Sequence, residues 1–271
     1  MKTLADHIVR DTVFRYVIDP ASARVGLVVF PAGLASKLVT KRTGLKGLSY
    51  IDAMPGAGDP PATVIDPLVH LKIVGDWYPG AFSQGRTMRT SASNDRFRFV
   101  SQDVRRDDTR TIVLTLLRSA EGLALEHCLS WHDGDGAVEI TTTFRNGSTL
   151  PVTLEMLTSF SLGGLTPFDP ADAPGVLQVH RFRSVWSAEA RLETRSVEEL
   201  HLERSWSGAG GFSERFGQLG SMPVRGFFPF IAVTDTAAGV TWGAQLSWAG
   251  SWQMEAFRQH DDLCLSGGLA D

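Results

Sequence analysis

The sequence predicts an all-β fold, a large antiparallel sandwich, and three observations lead there. Apolar and polar residues alternate over many short stretches, which is the period of a half-buried strand. Asp-Gly and Asn-Gly pairs separate neighbouring stretches and suit tight turns that need positive φ. Finally, 27 glycines and 13 prolines punctuate a 271-residue chain with little helical periodicity.

In chain order, Val25 to Phe30, Leu71 to Val74, Arg96 to Val100 and Thr109 to Leu117 read as short strands. Leu123, Leu125, His127, Leu129 and Trp131 then share one face, opposite Ala124, Glu126, Cys128 and Ser130. The turn Asp133-Gly134-Asp135-Gly136 leads to Val138, Ile140, Thr142 and Phe144 on one face of the next strand. Asn146-Gly147 turns again, and Val152, Leu154, Met156, Thr158 and Phe160 open a third strand. Two such turns joining three strands predict an antiparallel meander. Ser187 to Glu203 is rich in helix formers and on propensity alone reads as helical. Beyond it, Val240, Trp242, Ala244, Leu246 and Trp248 line one face, Ala249-Gly250-Ser251 turns the chain, and Trp252 to Arg258 returns. Ala53 to Pro67 and Trp206 to Gly226 read as loops, where binding residues usually project from a β scaffold. No linker or repeat divides residues 1–271, so a single domain is expected.

Composition excludes several classes. The 26 basic and 30 acidic side chains leave a net charge of -4, which argues against a broad nucleic-acid footprint. Met1 to Arg10 has no secretory core, no run reaches membrane-spanning length, and a cytoplasmic location is expected. Cys128 and Cys264 could form a disulfide, although two buried thiols fit a reducing compartment better.

Gly56-Ala57-Gly58 and Gly208-Ala209-Gly210 fail as dinucleotide motifs, because Pro61 and Ser213 stand where the third glycine belongs. Phe144 occupies the position where a calcium loop starting at Asp133 needs its bidentate Glu. His7, His70, His127, His132, His180, His201 and His260 are scattered without metal-ligand spacing, so neither a metal nor a cofactor is expected. Trp242, Trp248 and Trp252 have strand spacing and are expected in the core, whereas Trp77, Trp186 and Trp206 fall near loops. An exposed Trp can stack on the C–H face of a sugar while Asp, Gln or Arg bonds its hydroxyls. Asp76-Trp77-Tyr78-Pro79-Gly80, followed by Phe82, Gln84, Arg86 and Arg89, is the richest such cluster. A packed loop with solvated arginines explains it equally well.

A longer pattern runs from His180-Arg181-Phe182-Arg183-Ser184-Val185-Trp186 through Glu198-Glu199-Leu200 and Glu214-Arg215-Phe216-Gly217 to Phe228-Pro229-Phe230. It closes with Trp242-Gly243-Ala244-Gln245-Leu246-Ser247-Trp248-Ala249-Gly250-Ser251-Trp252 and Glu255. In order and spacing, these pieces resemble the N-terminal domain of glycoside hydrolase family 36, the family of bacterial α-galactosidases. The match is densest from about Leu154 to Asp271.

The resemblance implies a large antiparallel β-supersandwich of galactose mutarotase-like architecture, placed before a catalytic (β/α)-barrel. It also implies an extended conformation for Ser187 to Glu203. Family members form homo-oligomers in which a loop with a Gly-Asp-Phe-Arg-like motif completes a sugar pocket. The nearest counterpart here, Gly80-Ala81-Phe82-Ser83-Gln84-Gly85-Arg86, lacks the Asp beside Phe82. Asp76, Trp77, Phe82 and Arg86 are therefore the candidate substrate-binding residues, for a galactoside. Both catalytic aspartates of the family lie on the barrel, which would begin after Asp271, so no catalytic residue is expected and the isolated chain is expected to be inactive. A free-standing carbohydrate-binding module is the alternative. A sugar mutarotase using His127 and Glu255 stands behind it.

Overall fold

The structure is a computed structural model that describes residues 2–39, 66–76, 91–203, 213–259 and 261–270. It is built almost wholly of antiparallel strands. β1 (Lys2–Val9), β2 (Thr12–Ile18) and β3 (Val25–Pro31) form a three-stranded sheet in that order. Arg10, at a left-handed φ of 56°, turns the first hairpin, and β2 buries Val13, Phe14, Tyr16 and Val17. The short β4 (Leu71–Ile73) belongs to a later sheet and is followed by a 3-10 turn, Ala92–Asp95.

β5 (Arg98–Asp107), β6 (Arg110–Arg118), β7 (Leu123–His132) and β8 (Glu139–Asn146) make a four-stranded meander. The alternation read in the sequence is the alternation of burial here: Leu123, Leu125, His127 and Leu129 point inward. Gly122 and Gly134, at φ 90° and 88°, make the turns on either side of β7 that residues with a Cβ rarely adopt.

The expected third strand of that meander leaves the sheet. β9 (Leu154–Leu162) pairs with β4 on one side and with the last strand of the chain on the other. The segment between β8 and β9 is too long for a tight hairpin, and Pro151 has no N–H for a ladder. The Asn146 side chain instead ties the segment into a local turn, donating to Leu150 O and accepting from Ser148 N. Where that turn sends the strand is a tertiary outcome that strand-local alternation does not encode.

β10 (Leu177–Ser184) pairs with β11 (Arg191–Ser196), so the middle of the segment that propensity reads as helical is an extended strand, as the resemblance implied, and turns flank it. Ser187, Ala190 and His201 all have left-handed φ, which interrupts any helix across the segment. On β11, Glu193 reaches the buried guanidinium of Arg181, which a second carboxylate, Glu214, also holds at 2.5 Å. Glu214 lies on β12 (Ser213–Gln218), and Arg181 also packs against the rings of Phe216 and Phe227. β13 (Gly226–Phe227), β14 (Phe230–Asp235) and β15 (Val240–Gln245) complete the sheet ordered β11-β10-β14-β15, with β13 attached to β10. β16 (Trp252–Gln259) and β17 (Asp262–Ala270) complete the other large sheet, ordered β12-β16-β17-β9-β4.

One hydrophobic core, including Tyr16, Leu27, Leu125, Leu129, Val233 and Met254, runs through all four sheets. Trp242 and Trp252 belong to it and donate their indole N–H to Val29 O and Pro223 O. Trp248 does not: it lies beyond the end of β15 and is half exposed, so the expectation that it is a core residue fails. Cys128 on β7 and Cys264 on β17 lie in different sheets and form no disulfide. No helix among the described residues is long and apolar enough to cross a membrane.

Candidate functional site

Of the four candidate substrate-binding residues, Asp76 is described, while Trp77, Phe82 and Arg86 lie outside the described residues. Asp76 follows β4, and its side chain is 5% exposed. One carboxylate oxygen accepts from Ile73 N at 3.1 Å and from Ser91 Oγ at 2.5 Å, and the other lies 3.7 Å from the Arg96 guanidinium. Burial works to raise the pKa of this carboxyl. Hydrogen bonds from Ser91, Ser93 and the Ile73 N–H, with the charge of Arg96, outweigh that and hold it below the usual carboxylate value. Asp76 and Ser91 stand at the two ends of the stretch that contains the other three candidates. Their bond is a clasp across its base.

Ser91 serves a second purpose, since its hydroxyl accepts from Ser93 N and caps the 3-10 turn Ala92–Asp95. That turn delivers Asn94 into the interior, where it meets a buried group of polar side chains. Asn94 Oδ1 accepts from Leu71 N at 2.7 Å, which leaves its amide N–H to face His70 Nδ1 at 3.2 Å. His70 Nδ1 must then accept, so Nε2 carries the proton and donates it to Asp66 Oδ1 at 3.2 Å. Ser161 Oγ donates to the other Asp66 oxygen at 2.6 Å. Gly163 backs onto this carboxylate, and a Cβ there would come within 2.6 Å of Asp66 Cβ.

The closeness of Asp66 suggests a charged pair, but protonating Nδ1 would set two N–H groups against each other at Asn94. Burial accordingly pushes the His70 pKa down to about 4, against the opposing pull of Glu255. Glu255 is fully buried on β16 and accepts a hydrogen bond from Ser213 Oγ.

This arrangement can hold a neutral histidine rigidly, but both ring nitrogens are spoken for, and a general base needs a free lone pair. His127, nominated above with Glu255, sits on β7 in a different sheet. Its Nδ1 lies 3.5 Å from Tyr16 Oη, and burial lowers its pKa to about 4 as well. The structure thus sets His127 against Tyr16, while the charge of Glu255 acts on His70. Sequence inspection missed Asp66, His70 and Asn94 as a group because 24 residues separate Asn94 from His70. The only local signal is Ser91 immediately before the short polar turn Ala92–Asp95, which is a cap pattern. Among the described residues no group of three or more His, Cys, Asp or Glu side chains could hold a metal ion.

No family model matches the chain, and no curated protein matches it in sequence. Solved structures do match in fold. α-Galactosidase AgaA of glycoside hydrolase family 36 from Geobacillus stearothermophilus superposes with a TM-score of 0.62 at 13% identity, over 98% of this chain and 37% of that one. The α-galactosidase from Lactobacillus brevis gives 0.63 at 14%, over 98% and 36%. A variant of AgaA in complex with raffinose gives 0.63 at 13%, over 98% and 37%. The chain therefore has the fold of a part of these α-galactosidases and spans little more than a third of their length. At such identity the likeness establishes the fold and no residue-level role.

Proposed function

We propose that this chain is the N-terminal β-supersandwich domain of an α-galactosidase-like glycoside hydrolase. In this reading the parent enzyme removes terminal α-linked galactose with retention, and the domain is structural and completes the sugar pocket. The observation that carries it is the coverage: nearly the whole chain matches about a third of each α-galactosidase, one of them in complex with raffinose. The order of motifs from His180 to Glu255 supports the same assignment. A retaining mechanism needs two carboxyl groups about 5–5.5 Å apart, which this reading places on the barrel domain of the parent. Asp76 then acts as an anchor, with the clasp to Ser91 fixing where the stretch with Trp77, Phe82 and Arg86 begins and ends.

Two measurements on the purified chain test the reading. A nitrophenyl α-galactoside should release no nitrophenol, and turnover would refute it. Calorimetric titration with raffinose should give no heat of binding, since half of a composite pocket has little affinity. Saturable binding by the chain alone would favour the carbohydrate-binding module instead.

A further inference from the structure

The outward face of the four-stranded meander carries a row of three arginines. Arg98 on β5 stands opposite Arg118 on β6, Arg118 opposite Ala124 on β7, and Ala124 opposite Arg145 on β8. Residues directly opposite in antiparallel strands point to the same face. The adjoining Leu117, Leu123 and Leu125 take the other face and are buried in the core, so the arginines project to solvent, and all three are exposed. At about 4.8 Å between strands, Arg98 and Arg118 are immediate neighbours. Arg118 and Arg145 stand about 10 Å apart across Ala124, whose small side chain leaves them room to lean together.

Like charges directly opposite each other are destabilising, and the sheet does not offset them here. Arg118 and Arg145 make no ion pair among the described residues. Arg98 donates from Nη1 to Asp95 O at 2.6 Å and to Phe97 O at 2.9 Å. Those carbonyls orient the guanidinium without neutralising it. The nearby carboxylates are committed elsewhere: Asp95 to Arg24, Asp76 to Arg96 and Glu121 to Ser119. Glu126, one row along the same face opposite Leu116, pairs with none of the three. The other end of the sheet is matched, with Arg110 at 3.1 Å from Glu139 and Arg106 at 2.6 Å from Asp133. The unmatched cations are thus local, in a chain whose net charge is -4.

The chemistry of the row selects its complement. Planar guanidinium forks hold oxyanions through paired, charge-assisted N–H···O bonds. A carboxylate would bring one negative charge to three cations. A phosphate monoester brings close to two at neutral pH, with three strong acceptor oxygens, and so matches three converging arginines in both charge and donor number.

We propose that Arg98, Arg118 and Arg145 form a binding site for a small phosphate monoester, with the phosphate seated over Ala124. Arg98, already oriented by two backbone carbonyls, is the fixed side of the site, and Arg118 and Arg145 reach the phosphate from either side of Ala124. The site lies on a different sheet from the strand that leads to Asp76 and owes nothing to the α-galactosidase assignment.

Calorimetric titration of the full chain at low ionic strength tests it, with a hexose monophosphate, inorganic phosphate and the uncharged hexose as probes. The monophosphate should bind saturably, with a dissociation constant of about 1 mM or tighter. Inorganic phosphate should compete with it, and the uncharged hexose should neither bind nor compete. Arg118→Ala and Arg145→Ala should each weaken binding by at least about tenfold, the scale of a lost charge-assisted bond. Arg105→Ala, which removes an exposed arginine from the far end of β5 on the same face, should leave it unchanged. Ala124→Glu sets a carboxylate inside the row. It should abolish binding while the urea midpoint holds or rises, because opposite charges across strands are stabilising, so the loss cannot be laid to misfolding. A chain that shows no saturable binding overturns the proposal. Equal weakening by Arg105→Ala overturns it too, by marking charge screening without a site. So does binding that survives Ala124→Glu or that the uncharged hexose displaces.

Discussion

Lowering the pH from 7 to 4.5 should destabilise this protein through two buried histidines well before its carboxylates protonate. His70 and His127 are fully buried, and burial takes each from an ordinary 6.5 to about 4. For a group whose folded pKa is depressed, the stability is fully present above the unfolded value. It is lost as the pH falls from there to the folded value. The window is therefore about pH 6.5 to 4. At about 1.4 kcal/mol per pKa unit, each histidine accounts for about 3 kcal/mol of loss across it. The pair together reaches about 6 kcal/mol, comparable with the whole stability of an ordinary domain. In the middle of the window the slope approaches two protons, or about 2.7 kcal/mol per pH unit. Urea unfolding followed by circular dichroism at several pH values between 7.5 and 4.5 measures it. His70→Gln and His127→Gln should each lower the slope by about one proton, whatever they do to stability at neutral pH. A midpoint that stays flat across the window would refute the reasoning, as would single variants that keep the full slope.

Two further outcomes follow from packing and charge. At Gly268 a Cβ would overlap Leu157 O and Thr158 Cα, backbone atoms of the neighbouring β9 that cannot swing aside. Gly268→Ala should cost about 1–3 kcal/mol, as overpacking does, read as a drop in the urea midpoint. Arg181→Met removes the cation that Glu193 and Glu214 share and leaves the largely buried Glu193 with only the half-exposed Arg183 as partner. Breaking such a pair costs about 3–5 kcal/mol, reduced here because Glu193 keeps Arg183 and because Glu214 is a third exposed and recovers water. About 3 kcal/mol is expected from the same unfolding measurement.

The fold was legible wherever a residue's environment follows from its immediate neighbours. Alternation from Leu123 to Trp131 became the inward face of β7 because a central strand leaves each side chain only two directions. Legibility stopped where partners are distant. Nothing local says that Leu154 to Leu162 abandons β8 for β17, or that Glu193 is drawn into a strand by an arginine on the neighbouring one. Trp248 has the spacing of the buried Trp242, yet the strand ends before reaching it. The candidate site divides the same way. Asp76 stood out among aromatics in the sequence, but its bonds run to Ser91 and Ile73, and those depend on the 3-10 turn Ala92–Asp95 packing beside β4. Asp66, His70 and Asn94 form a group only after that turn is made.

The Asp76–Ser91 clasp has an evolutionary corollary. Once two ends are pinned together, lengthening or rewriting what joins them adds only about 0.6 kcal/mol of closure entropy per doubling of length. Carboxylate, hydroxyl and the Arg96 guanidinium thus form a socket into which insertions and swapped sequences can be grafted without disturbing the sheet. Any preference for a new ligand acquired there could be tried and discarded while the scaffold keeps its stability.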